Sequence, residues 1–176
     1  MKWIGISGGW RKINPKIEND VRETVAKIMA RGDGIVSGGA LNVDFIAIDE
    51  ALKHDSKAKR IKIFIPTTLE KFIEHYQKHA RLGTITSEQA EGIVNQLTQL
   101  KKINPNALIE NPDTNFTEEN KKEKYYERNS KVVEASDELV AFRIKTETSE
   151  GLGTADTIEK AKAKNIPIDL HFYDLT

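Results

Sequence analysis

No cysteine occurs among the 176 residues. That absence excludes a disulfide scaffold, a thiolate zinc site, an iron–sulfur cluster and a cysteine nucleophile, and it leaves the compartment unreadable from thiol chemistry. Excess charge is absent too. The 27 basic and 27 acidic side chains give a formal net charge of zero, which removes the simplest argument for a protein that coats duplex nucleic acid. Uninterrupted apolar stretches reach only a few residues, against the roughly 20 needed to span a bilayer. The start Met1-Lys2-Trp3-Ile4-Gly5-Ile6 has no apolar region of signal-peptide length. No membrane partner and a cytoplasmic location are the resulting expectations. Two familiar fingerprints, Gly-x-x-x-x-Gly-Lys-Ser/Thr and Gly-x-Gly-x-x-Gly, are also lacking, so neither that class of nucleotide hydrolase nor an ordinary dehydrogenase is expected. No metal and no resident cofactor is expected.

What is present is an alternation of short β-rich runs with helical patterns, the signature of βαβ units and a parallel sheet. Strands are expected at 2–6, 34–37, 61–65, 138–142 and 166–172. Asn14 followed by Pro15 supplies an N-cap and a first-turn proline, and Ile17, Val21, Val25, Ile28 and Met29 recur at helical spacing until Gly32. Further helices are expected through Phe45, Ile48 and Leu52 and over 154–164. The prediction is one α/β domain, residues 1–176, built on a Rossmann-like doubly wound, mainly parallel five-stranded sheet. Residues 67–125 are polar, helical and longer than a βα connection needs, so they read as a helical insertion. Thr67 with Glu70, and Thr86 with Gln89, have capping-box spacing and mark two helix starts there. Ala107 to Ile109 is a short apolar piece that would suit one more strand.

Ligands of open α/β sheets sit beyond the carboxyl ends of the strands, so the loops there matter most. Three are glycine-rich and run into helix starts: Ser7-Gly8-Gly9-Trp10-Arg11, Ser37-Gly38-Gly39-Ala40 and Ser149-Glu150-Gly151-Leu152-Gly153-Thr154. Free backbone amides and the helix dipole favour phosphate at such places, although tight βα turns use glycine for backbone reasons as well.

The order Gly5 to Arg11, then Ile35-Val36-Ser37-Gly38-Gly39-Ala40-Leu41-Asn42-Val43-Asp44 with Ala51-Leu52, resembles the Rossmann-like SLOG superfamily. That superfamily unites DNA-processing protein A with the LOG, or lysine-decarboxylase-like, proteins. The second half agrees: Glu127-Arg128-Asn129, the strand Asp137 to Phe142, Gly151-Leu152-Gly153-Thr154 and Ala161. Ile109-Glu110 before a proline is similar to a Ser-Glu segment of the DNA-processing branch. The resemblance covers residues 1–66 and 107–172.

It implies a pocket for a nucleotide or nucleotide-derived ligand, with single-stranded DNA as an alternative partner and a homo-oligomeric state. Phosphate would be held by amides of Ser7, Gly8 and Gly9, of Gly38, Gly39 and Ala40, and of Gly151, Gly153 and Thr154, with Ser37 also at the site. Arg11 and Arg128 would add charge-assisted contacts. Asp44 would orient a ribose hydroxyl or an arginine, unless it only complements its helix dipole, and Asn129 would bond a base or cap a turn. The LOG hydrolases carry Pro-Gly-Gly and a glutamate where this chain has Ser149-Glu150-Gly151 and Thr157. Cleavage of an N-glycosidic bond, the enzymatic alternative, would therefore need Asp44, Glu110 or Glu150 as its carboxylate.

Other features carry less. Trp10 in a glycine loop is either a lid or a local core plug, and Tyr125 and Tyr126 are candidate stacking residues. The first 66 residues hold 12 basic and 8 acidic side chains, including Lys57, Lys59, Arg60 and Lys62, a surplus modest enough for a solvated loop. Lys121, Lys122 and Lys124, interleaved with acids, read as a solvated helix. His75 and His79 have metal-ligand spacing but read as a surface pair. Gly5-Ile6-Ser7-Gly8-Gly9 matches a nucleophile elbow formally, yet it follows the first strand, where that fold has no earlier loop to complete its oxyanion hole.

Overall fold

The computed structural model describes all 176 residues. Six strands form one sheet: β1 (Trp3–Gly8), β2 (Gly34–Ser37), β3 (Ile61–Phe64), β4 (Leu108–Ile109), β5 (Glu138–Lys145) and β6 (Ile168–Asp174). Their order is β4-β3-β2-β1-β5-β6 and every pairing is parallel. The chain steps outward from β1 to β4, then returns to place β5 on the other side of β1. The direction of winding therefore switches between β1 and β5, which is where doubly wound sheets bind ligands.

Six helices make the crossovers: α1 (Pro15–Ala30), α2 (Val43–His54), α3 (Leu69–Arg81), α4 (Ser87–Ile103), α5 (Lys121–Glu134) and α6 (Leu152–Lys164). Strand side chains alternate between faces, and β5 shows both faces covered. Leu139 and Ala141 join a cluster with Val133 of α5 and Ile158 and Ala161 of α6, whereas Val140, Phe142 and Ile144 join the main core with α1 and α2. The main core also takes in Phe72 and Tyr76 of α3 and Ile93, Leu97 and Leu100 of α4, so these two helices pack as part of it.

Helix starts follow local chemistry. Asn14 Oδ1 accepts from the Ile17 amide at 2.8 Å, and Thr86 and Gln89 close a reciprocal capping box. Each such cap contributes about 1 kcal/mol. At α3 the cap is Thr68, whose hydroxyl accepts from the Lys71 amide, not Thr67, whose hydroxyl donates to the Asp113 carbonyl 2.8 Å away. A Thr-Thr pair makes the capping position ambiguous in sequence, and the bond to Asp113 decides it.

The sheet has six strands rather than the expected five. Leu108 and Ile109 pair with Ile63 and Phe64 and close the β4 edge; two residues are too few for any periodicity to register. Three strands also run on past their expected ends. β1 continues to Gly8, β5 to Lys145 and β6 to Asp174, so Ser7 and Gly8 are strand residues with their amides at the sheet's carboxyl edge.

Candidate functional site

The carboxyl ends of β1, β2 and β5 open into a cavity of about 360 Å³. Its floor includes Ser7, Gly8 and Gly9 at the end of β1, Gly38 and Ala40 after β2, and Gly151, Gly153 and Thr154 at the start of α6. The three glycine loops thus meet on one hollow. The two helix starts among them, α2 and α6, have no side-chain cap, in contrast to α1, α3 and α4, whose Asn14, Thr68 and Thr86 side chains cap them. Free first-turn amides and two helix dipoles leave a positive floor.

The wall reinforces it. Arg11, Lys12, Lys121, Lys122 and Arg128 bring five cationic side chains, and Asp44 brings the single carboxylate. Lys121 and Lys122 arrive from the start of α5, in the segment expected to be a solvated helix. Lys121 is paired with Glu118 at 2.6 Å, while Lys122 lies over the Tyr126 ring, 5.6 Å from its centroid.

Arg128 and Asp44 organise the second loop. The Arg128 guanidinium donates to the Gly38 carbonyl, donates through Nε to Asn129 Oδ1 at 3.1 Å, and sits over the Tyr125 ring at 5.2 Å. It lies where a side chain on residue 38 would project, so a larger residue there would have to displace the guanidinium. Asp44 is 5% exposed and accepts from the Ala40 amide at 3.2 Å. Burial raises its pKa, against the lowering pull of Arg128 and of the Ala40, Ser37 and Gly38 donors. Asn129 is occupied internally. Its amide nitrogen donates to the Gly153 carbonyl at 3.4 Å and to Asp156 at 3.1 Å, so it ties α5 to the α6 start.

Several expected site residues lie elsewhere. Ser37 is fully buried, donates to the Ile6 carbonyl at 3.1 Å and does not line the cavity. Gly39 is turned away, with a φ of 64° and its carbonyl accepting from Tyr76. Glu110 accepts from the Leu69 amide at 2.6 Å and from Lys101 at 2.9 Å, so it serves the α3 start. Glu150 holds Arg143 through its backbone carbonyl and points its carboxylate outward, 3.9 Å from Lys145. Of the three carboxylates considered for glycosidic chemistry, only Asp44 reaches the cavity.

At the rim, Trp10 is 40% exposed, lies beneath Arg11 at 4.8 Å and is held by Asn42 donating to its carbonyl at 2.5 Å. It is a rim residue and not a core plug. On the opposite side His75 and His79 line the cavity, half-buried, where sequence had suggested a surface pair. Burial, with the nearby positive charge of His79 and Lys121, lowers the His75 pKa to about 4. Tyr125, half-buried, is pushed up to about 12 by burial and meets His75 Nε2 at 3.2 Å.

Fold and site together define a Rossmann-like protein with a cavity at its topological switch point. No protein-family model matches the sequence, and no curated protein matches it. Solved structures do. DNA processing protein A from Helicobacter pylori, described for its single-stranded DNA binding mode, superposes with a TM-score of 0.64 at 20% identity, over 96% of this chain and 64% of that one. A molybdenum cofactor binding protein from Rippkaea orientalis gives 0.59 at 16% identity, over 99% and 78%. DNA processing protein A from Streptococcus pneumoniae gives 0.58 at 13%, over 96% and 50%. The chain therefore shares the fold of these proteins, and it spans less than two thirds of either DNA processing protein.

Proposed function

We propose that this protein binds a nucleotide or nucleotide-derived ligand by its phosphate, in the cavity between β1 and β5. The observation that carries the reading is the convergence of two helix starts lacking side-chain caps and five cationic side chains on one hollow that holds a single carboxylate. An anion there gains backbone amides, helix dipoles and arginine contacts together. Tyr126, Trp10 and Leu152 give the mouth apolar surface for a base or a fused ring. The molybdenum cofactor binding protein named above supports a small ligand in this fold.

Calorimetric titration with nucleoside mono- and diphosphates tests the reading. Replacing Arg128 by alanine removes a charge-assisted donor worth about 1.5–3 kcal/mol, or roughly tenfold to a hundredfold in Kd. Absence of binding by every nucleotide, or affinity unchanged in R128A, contradicts it.

A second reading, single-stranded DNA, is favoured by the aromatic and cationic rim: Trp10 beneath Arg11, and Tyr126 flanked by Lys122 and Lys160. Stacking on such platforms with phosphate contacts beside them is how single strands are held, and the DNA processing protein from Helicobacter pylori supports it. It predicts oligonucleotide binding that weakens steeply with salt, as phosphate contacts release counterions, and that falls in W10A. Oligonucleotide affinity no greater than that of a mononucleotide contradicts it.

A further inference from the structure

Beside the glycine loops, on the α3 side of the cavity, lies a cluster the oxyanion reading does not use. His75 and His79 are one helical turn apart, and the loop before α5 brings Glu118 to them. One potential ligand atom from each of the three lies within 4.8 Å of the other two. The rings of His75 and His79 are 4.4 Å apart. His79 Nε2 is sealed from solvent and makes no hydrogen bond, although Glu118 Oε1 lies 3.5 Å away. Burying such a nitrogen unpaired is costly unless something else takes its lone pair or proton.

We propose that His75, His79 and Glu118 form a divalent transition-metal site, with zinc as the ion whose preferences they fit best. Two imidazoles and one carboxylate are a zinc donor set that leaves a fourth position open, and both imidazoles line the cavity, so that position faces the ligand. The surroundings suit the role. Lys121 holds Glu118 Oε2 at 2.6 Å and leaves Oε1 turned toward His79, as an outer partner that orients a ligating carboxylate. Phe72 and Phe116 flank His75, with ring centroids 6.1 and 5.2 Å away, which limits how far the imidazole can move. Two groups oppose a cation: Lys121, which stays on Oε2, and Lys78, 3.7 Å from Oε1 and half-exposed, free to swing into solvent when an ion binds. A bound ion would put a Lewis acid at the cavity wall, within reach of a phosphate or of water.

Zinc or cobalt(II) alone, titrated into the purified full chain in a non-chelating buffer, tests the site without any nucleotide. One equivalent is expected, with cobalt giving the visible absorption of a four- or five-coordinate site. E118Q, at a half-exposed position that does not threaten folding, and H79N should each weaken binding about tenfold or more. K78M should tighten it by removing a competing cation, an effect an anion site would not show. Binding no tighter than millimolar, or binding unchanged in both E118Q and H79N, overturns the proposal. Because the metal is the only probe, either outcome leaves the oxyanion reading to its own test.

Discussion

Asp44 is the residue on which the cavity's charge turns. Its carboxylate is buried against Arg128 and the second loop, and burial raises its pKa above the ordinary 3.8. The folded state therefore binds this proton more readily than the unfolded state. Stability from this group is greatest below pH 3.8 and declines as pH rises through the raised value, so at neutral pH the charged Asp44 is a net cost. D44N should raise the thermal midpoint at pH 7.5, with the advantage over wild type shrinking as pH is lowered; a midpoint lower than wild type at pH 7.5 would count against this. Anion affinity follows the same sign. Phosphate binding should tighten as Asp44 is protonated, and D44N should bind more tightly at neutral pH with a flatter pH profile than wild type. Sequence pointed to Asp44 and Arg128 through their place in an ordered set of residues. It could not give their roles, because Asn129 and Glu110 look equally suitable until their polar atoms are seen to be spent on Gly153, Asp156, Leu69 and Lys101.

Among the elements, the glycines after β1 and at the start of α6 do different work. A Cβ on Gly8 would come within 2.7 Å of the Val43 side chain, so G8A should destabilise by about 1–3 kcal/mol through overpacking where β1 meets α2. Gly153 is the opposite case. No atom lies within 4 Å of the position its Cβ would take. G153A should leave stability unchanged or raise it by up to about 1 kcal/mol, as glycine-to-alanine changes in helices do, while weakening phosphate binding by obstructing close approach. Chemical denaturation and calorimetry on the two variants separate these outcomes; equal ligand affinity in G153A and wild type would show that the glycine serves the turn alone. The starts of α1 and α4 were readable because Asn14-Pro15 and Thr86 with Gln89 are local signals. β4 was only hinted at, since its pairing with β3 spans more than forty residues and its two positions carry no period. Lys121 and Lys122 do stand on a helix, but their place at the cavity has a related cause. Alternating charge describes a solvated helix well, and only the return of the chain from β4 puts that helix's first turn at the cavity.

At the scale of the whole molecule, zero net charge coexists with a cavity whose wall is strongly positive. The compensating acids lie outside it: Asp49 and Glu50 pair with Arg22, and Glu110 with Lys101. Alternation of strands and helices made the doubly wound sheet legible, and with it the edge where a ligand belongs. The partnership of His75 and His79 with Glu118 was not legible, because a helical pair and an acid about forty residues away share no local pattern. The most direct test of the central claim is a nuclear magnetic resonance titration of the amide-labelled protein with a nucleoside monophosphate and, separately, inorganic phosphate. Shifts concentrated at the amides of Ser7 to Gly9, Gly38, Ala40 and Gly151 to Thr154, shared by both titrants, are predicted. Shifts confined to other surfaces, or none at millimolar ligand, would contradict the assignment of an oxyanion site to the switch between β1 and β5.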